Sequence, residues 1–294
     1  MSLQNKTTII SIEGNIGAGK SVLLEHMRKY YENKKQHASR PYLFIGIFNV
    51  FVLCALSIYV NIIVVLSSYL VIMTSLYYIF KFPIFNKIFQ RKIENAPPAP
   101  LPPKVVFIQE PVNLWQSIRD EEGKNILQNY YMDCCKYAFV FQLMSLFTRF
   151  TLIQDTINKY NGNVIIIMER SIESDKEVFE TMLFESGEIN VIEHQIYSMW
   201  YEYCKNQLQD CRHMVIYLKS KPENTMERKN ERNRSGEENI SLEYLKQCHE
   251  YHGKMIEKVD NLIQVNIDSY NLKESPIKYS NLVKMLCEKF CKII

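Results

Sequence analysis

The stretch that most limits what this chain can fold into is Gly14-Asn15-Ile16-Gly17-Ala18-Gly19-Lys20-Ser21, which reads G-x-x-x-x-G-K-S. That spacing is the phosphate-binding loop pattern, and it carries weight only between a buried strand and a helix. Both flanks are present. Thr7-Thr8-Ile9-Ile10-Ser11-Ile12 is β-branched and apolar, as a parallel strand covered on both faces should be. Val22, Leu23, Leu24, Met27 and Tyr30 then recur at helical spacing. A chance glycine turn would lack that order. The glycines would let backbone N–H groups close around phosphate oxygens, with the helix N-terminus adding positive potential. Lys20 would bridge the β- and γ-phosphates, and the Ser21 hydroxyl would reach Mg2+. The pattern predicts an α/β chain that binds a nucleoside triphosphate.

A net charge of +3 spread evenly over 294 residues gives no basic face for polymeric nucleic acid. Eight cysteines occur without a C-x-x-C pair or metal-ligand spacing, which predicts reduced thiols in a cytoplasmic compartment. Cys134-Cys135 reads as helix packing. With the first strand beginning so near Met1, no N-terminal signal peptide is expected.

From Tyr42 to Phe80 no charged residue occurs. One helix over that run would measure roughly 58 Å at about 1.5 Å per residue, far more than a bilayer core of about 30 Å. Split near Tyr59-Val60-Asn61, it gives two spans that each just suffice. Lys34, Lys35 and Arg40 precede it, Lys81, Lys87, Arg91 and Lys92 follow, and no acid lies between Glu32 and Glu94. Basic flanks at both ends predict an apolar helical hairpin in a membrane over 42–80, both ends cytoplasmic. An interfacial or re-entrant segment, a soluble apolar cover and translated non-coding sequence stand as alternatives. A Pro-rich linker, 96–103, then leads into the strand Lys104-Val105-Val106-Phe107-Ile108. Residues 37–103 thus interrupt an ordinary helix-to-strand connection, and 1–36 with 104–294 are expected to form one domain.

Beyond the interruption, helix and strand alternate. Asn125 to about Tyr160 reads as helical, Val164–Met168 and Met214–Leu218 as strands, and Leu262–Val265 as a fifth strand. Helices are expected near Asp175–Phe184, Val191–Leu208, Pro222 onward, Ser241–Val259 and around Leu282–Phe290. The order predicts a five-stranded parallel sheet flanked by helices.

In such a sheet Glu110, after the second strand, and Glu169-Arg170, ending the third, fall on the edge that bears the P-loop. One carboxylate could deprotonate a hydroxyl and the other hold Mg2+, although strand ends often carry mere surface charge. Gln142, Ser145 and Arg149 share one face of a very apolar helix, with Tyr131 three turns earlier on a similar face. Such buried polar groups need partners, either a ligand edge or, for Arg149, an ion pair with Asp175. Arg228, Arg232 and Arg234 precede Glu237 and Glu238 in a polar loop that could close over phosphates or simply be solvated.

Together these motifs resemble the deoxynucleoside kinase family. The resemblance rests on Ile12 to Ser21, Gln109-Glu110-Pro111-Val112, Trp115, Asn125-Ile126-Leu127-Gln128 and Phe141-Gln142. It continues through Glu169-Arg170-Ser171, Ser174-Asp175, Ile196-Tyr197, Trp200, Arg232-Asn233-Arg234 and Leu242-Glu243-Tyr244-Leu245. It implies a P-loop kinase fold and phosphorylation of a deoxynucleoside at its 5′-hydroxyl, with ATP as donor and Mg2+ as cofactor. By the same resemblance Glu110 is the general base, Arg170 steadies it and the phosphates, and Ser21 and Glu169 form the metal site. Tyr131 and Glu237 match positions holding the 3′-hydroxyl, Gln142 reads the base edge, Phe141 stacks on the base and Phe179 lines the pocket. Arg228, Arg232 and Arg234 match lid arginines over the donor, and Asp268 falls in the loop around the donor base.

Thymidine-preferring members look apolar where this chain has Arg149 and Asp175, so deoxycytidine or a purine deoxynucleoside is expected over thymidine. The resemblance also implies a homodimer. A nucleoside monophosphate kinase and a non-catalytic, membrane-tethered nucleotide-binding protein are the alternatives. The first would set Glu110 against an anionic acceptor.

Overall fold

The computed structural model describes residues 7–39, 69, 72–73, 102–234, 236–238, 240–270 and 272–291. The chain divides into two units, Met1–Tyr30 with Pro102–Ile294 and Tyr31–Leu101. In the second, description is confined to the end of one helix and to helical positions Tyr69, Ile72 and Met73. The hairpin expected over 42–80 lies outside the described residues apart from those three, as does the Pro-rich linker before Pro102. Among the described residues no helix is long and apolar enough to cross a membrane.

The first unit is built on β1 (Thr8–Gly14), β2 (Lys104–Ile108), β3 (Val164–Glu169), β4 (Arg212–Lys219) and β5 (Leu262–Asn266). They form one parallel sheet in the order β2-β3-β1-β4-β5. The expected five-stranded parallel sheet is present. β3 is buried at every position, and β1 at all but its first, so neither alternates between buried and exposed positions, and β1 carries the polar Ser11 and Glu13 within that burial.

Side chains on a strand alternate between faces, and each face has its own core. On one, Ile10, Ile12, Ile165 and Ile167 pack with Leu23, Leu24 and Met27 of α1 (Lys20–Ser39) and with Leu282, Val283 and Leu286 of α10 (Pro276–Cys291). On the other, Ile9, Val164, Ile166 and Met168 meet Leu146 and Ile153 of α4 (Cys134–Lys159) and Tyr197 and Tyr201 of α7 (Val191–Gln207). At about 25 cal/mol per Å2 of apolar surface, this two-sided burial is the main favourable term for the unit.

The remaining helices are α2 (Val112–Ser117), α3 (Ile126–Met132), α5 (Ile172–Ser174), α6 (Thr181–Glu185), α8 (Pro222–Arg232) and α9 (Leu242–Ile256), with a π-helical turn at Asp175–Glu180. The single helix expected from Asn125 to Tyr160 is two. Asp133 leaves helical geometry at φ −140° and its side chain accepts from Lys136 N, which starts α4 afresh. Tyr131 therefore belongs to α3 and shares no helix face with Gln142.

Candidate active site

Register sets the site. Ile12 pairs with Glu169 and Gly14 with Leu218, so β1, β3 and β4 end together and the loop after β1 sits at that edge. Gly14, Gly17 and Gly19 have φ of 144°, 83° and 87°. Gly17 is also packed against α8: a Cβ there would lie 2.2 Å from the Thr225 carbonyl oxygen. Asn15 Nδ2 donates to Leu245 O at 2.7 Å and ties the loop to α9. Lys20 Nζ donates to Asn15 O at 2.9 Å and Gly14 O at 3.2 Å. Burial, reinforced by the neighbouring Arg170 charge, pulls that ammonium down to about 7. Ser21 Oγ donates to Glu169 Oε1 at 3.0 Å, so the two expected metal-site residues do meet.

Arg170 adopts the left-handed region at φ 63°, and its N–H bonds to Ile12 O at 3.1 Å. A non-glycine residue there costs roughly 1–2 kcal/mol. Its side chain reaches Glu110, with Nε 3.4 Å from Oε1, and its guanidinium lies 4.6 Å from the centre of the Phe179 ring. Arg149 Nη2 approaches the same Glu110 oxygen at 3.3 Å. Burial pushes the Glu110 carboxyl up, but Arg170, Arg149, Lys20 and Arg234 outweigh it and hold the group below the usual carboxylate range.

Arg149 is wholly satisfied from within. Nε and Nη2 donate to the two Asp175 oxygens at 2.8 and 3.2 Å, and Nη1 donates to Glu169 O at 3.0 Å. The ion pair weighed for Arg149 is thus present, and it places this guanidinium behind Asp175 and Glu110 rather than on the cavity wall.

The cavity opens between these elements. Glu110, Arg170, Tyr131 and Glu237 line it together with Phe141, Gln142, Asp175 and Phe179. Tyr131 arrives from α3, so loop closure and not helix periodicity brings it there. Phe141 is fixed by the Tyr130 ring, stacked at 4.7 Å, and by the edge of Trp115 at 5.5 Å.

The three arginines expected in the loop divide: Arg228 and Arg232 belong to α8, and only Arg234 lies beyond its end. Arg234 lines the cavity and pairs with Glu237 at 3.2 Å, and Arg232 pairs with the same carboxylate. Arg228 turns away, to Asp268 at 2.9 Å and Ser220 Oγ at 3.1 Å. Burial raises the Asp268 carboxyl, yet Ser220, the Lys221 N–H and Arg228 hold it low.

Two buried ionisable residues beside the site, His252 and Glu13, were given no role in the sequence reading. His252 is buried, its Nδ1 is 2.6 Å from Cys248 O, and its Nε2 is 3.5 Å from Arg170 Nη1. Burial and Arg170 keep it neutral, so Nδ1–H donates and Nε2 accepts. Glu13 is fully buried, with Arg170, Ser171 and Ser11 around its carboxyl. Burial pushes that carboxyl up against the pull of Arg170. Its place directly before Gly14 was the available signal.

Residues 101–292 match the family model described as deoxynucleoside kinase. The chain is similar to deoxycytidine kinase 2 of Gallus gallus, 34% identical over 188 residues, covering 58% of this chain and 69% of that protein. It is 30% identical to deoxycytidine kinase of Homo sapiens over 212 residues, 62% of this chain and 79% of the relative. Mitochondrial thymidine kinase 2 of Homo sapiens is 27% identical over 154 residues, 52% and 56% of the two chains.

Proposed function

The chain belongs to the deoxynucleoside kinase family, and from that premise we propose that it moves the γ-phosphoryl group of ATP to the 5′-hydroxyl of deoxycytidine or a purine deoxynucleoside in preference to thymidine. The observation that carries this reading is Glu110, a carboxylate held ionised by two guanidinium groups where it lines the cavity near Lys20. A base in that state can take the hydroxyl proton as the oxygen attacks phosphorus in line.

The residues present fit a triphosphate and a hard cation. Three glycines at positive φ precede a buried lysine, and Ser21 and Glu169 offer adjacent oxygens. Mg2+ takes few protein oxygens and completes its shell with phosphates and water. Bound there by Ser21 and Glu169, it would neutralise phosphate charge. Gly14, Asn15, Ile16, Gly17, Ala18, Gly19 and Lys20 cradle the donor phosphates, and Arg228, Arg232 and Arg234 act from the lid. Asp268 belongs to the donor-base loop. Arg170 steadies both Glu110 and the transferring group. Tyr131 and Glu237 hold the 3′-hydroxyl, Gln142 and Phe141 take the base edge and face, and Phe179 closes the wall.

Specificity rests on Asp175, which Arg149 and Ser145 hold at the cavity wall. A 5-methyl base would meet that charge. The same reading includes a homodimer and a membrane hairpin over 42–80 that leaves the catalytic domain cytoplasmic. The dimer is supported by an exposed stripe on α7: Ile192, Ile196, Met199, Trp200 and Tyr203.

The test is transfer from labelled ATP to each of the four natural deoxynucleosides. Product with deoxycytidine or a purine deoxynucleoside is expected. Thymidine as best substrate by about tenfold, a margin a single pocket group can supply, overturns the specificity. No product from any of them overturns the substrate class.

A further inference from the structure

Asp175 and Phe179 reach the cavity from a π-helical turn, Asp175–Glu180. A π-turn carries one residue more than an α-turn allows and needs outside support. Here the N–H and the hydroxyl of Thr181 both reach Lys176 O. One residue beyond each cavity residue stand Lys176 and Glu180, on the adjoining face, and neither lines the cavity.

Glu180 is completely buried, and both its oxygens are claimed. Lys176 Nζ donates to Oε2 at 2.6 Å, and His194 Nδ1 of α7 meets Oε1 at 2.7 Å. Lys176 Nζ also donates to Ser198 Oγ at 2.9 Å, one turn along α7 from His194. The His194 ring is stacked on Phe184 of α6 at 3.8 Å. The π-turn and α7 are thus tied through one carboxylate, and the ring stack adds α6. A buried charge tolerates little movement of its partners, so positions 176 and 180 are pinned against α7, and with them positions 175 and 179.

We propose that the Lys176–Glu180–His194 cluster, centred on the buried Glu180 carboxylate, is a specificity-determining support: by fixing the π-turn it sets where Phe179 and Asp175 stand in the pocket, and hence which base is accepted. Asp175 has a second hold in Arg149 and Ser145. Phe179 has only the Arg170 guanidinium over its ring, a weaker hold than an ion pair, and it is the wall that moves when the cluster is lost. The inference rests on reading this cavity as the nucleoside pocket. These are positioning residues, and their signature is a changed ratio of kcat/KM between bases rather than a uniform loss.

The experiment uses the full chain with two changes. Lys176→Met with Glu180→Leu removes the buried pair together and leaves no unpaired charge, an exchange that folds often tolerate. His194→Phe keeps the stack on Phe184 and removes only the Nδ1 partner. Melting curves establish folding, and kcat/KM is measured for four deoxynucleosides. The expected result is a shift of about tenfold in the ratio between best and second substrate for the double variant, the scale of a displaced pocket wall. His194→Phe should shift the ratio in the same direction, and it decides the matter if the double variant does not fold. Ratios unchanged within about twofold in a folded, active variant overturn the proposal, since that lies below what one methylene contributes. A parent that phosphorylates no deoxynucleoside overturns the pocket reading itself and the proposal with it. That failure is recognised because the unaltered chain is silent.

Discussion

Two guanidinium groups share one oxygen of Glu110, and that arrangement governs the pH at which the residue can act. Its carboxyl is held below the ordinary 4.5 because the cations outweigh burial. For the proposed base the ionised form is the active one, so kcat/KM should stay level through neutral pH and fall only as pH drops through this lowered value. The stability from the same contacts has the same sign. It is present above the unfolded-state value and lost as pH falls through the folded one. Glu110→Gln should cost at least about 10²-fold in kcat, as expected for a lost general base. Arg170→Gln should lower kcat and also move the acid limb upward, because one of the two holds is gone. An acid limb left in place would show that Arg170 does not set the state of Glu110. Glu110 and Arg170 were legible in the sequence because strand ends in a parallel sheet fall on the phosphate edge. That Arg149 acts from behind was not. It reaches Glu110 across 39 residues of chain, a distance that no local pattern encodes.

At the level of elements, the P-loop and α8 are one object. Gly17 has both a positive φ and a carbonyl of α8 where its Cβ would be, whereas Gly19 has a positive φ and nothing within 4 Å. Alanine at Gly19 should therefore pay only backbone strain, about 1–2 kcal/mol. Alanine at Gly17 adds an overlap with Thr225 O that a helix backbone cannot relieve, a further 1–3 kcal/mol or so. Thermal melts and ATP titrations should rank Gly17→Ala clearly below Gly19→Ala, and equal effects would mean α8 yields. The α/β order and strand positions were readable because the strand runs are short, β-branched and bounded by turn residues, while the helical stretches carry their apolar residues at helical spacing. The break at Asp133 and the π-turn were not. In the first, one side chain captures a backbone N–H inside a stretch that is apolar on both sides. In the second, His194 and Ser198 on another helix hold a turn that helical periodicity takes for α.

For the molecule as a whole, the interruption and the proposed dimer face can be separated by experiment. The residues assigned to chemistry come from Gly14–Ser21 and from beyond Lys104, none of them between 37 and 103. The charge-free run 42–80 suits a bilayer, and its basic flanks suit a cytoplasmic surface. Replacing 37–103 with a short flexible linker should leave kcat/KM for the best deoxynucleoside within about threefold, since a surface loop closes at small cost whatever its length. The same change should abolish flotation with phospholipid vesicles, which the full chain should show. Equal flotation of both chains would move membrane attachment elsewhere or remove it. The α7 stripe makes a different demand. Ile192 and Met199 are 71% and 60% exposed, so a charge at either costs the fold little and should act only on an apolar contact between copies. By light scattering the linker chain should run as a dimer, and Ile192→Glu with Met199→Glu should leave it monomeric with its melting temperature nearly unchanged. A dimer that survives both charges lies on some other face, and a linker chain that is already monomeric assigns self-association to the replaced residues rather than to α7.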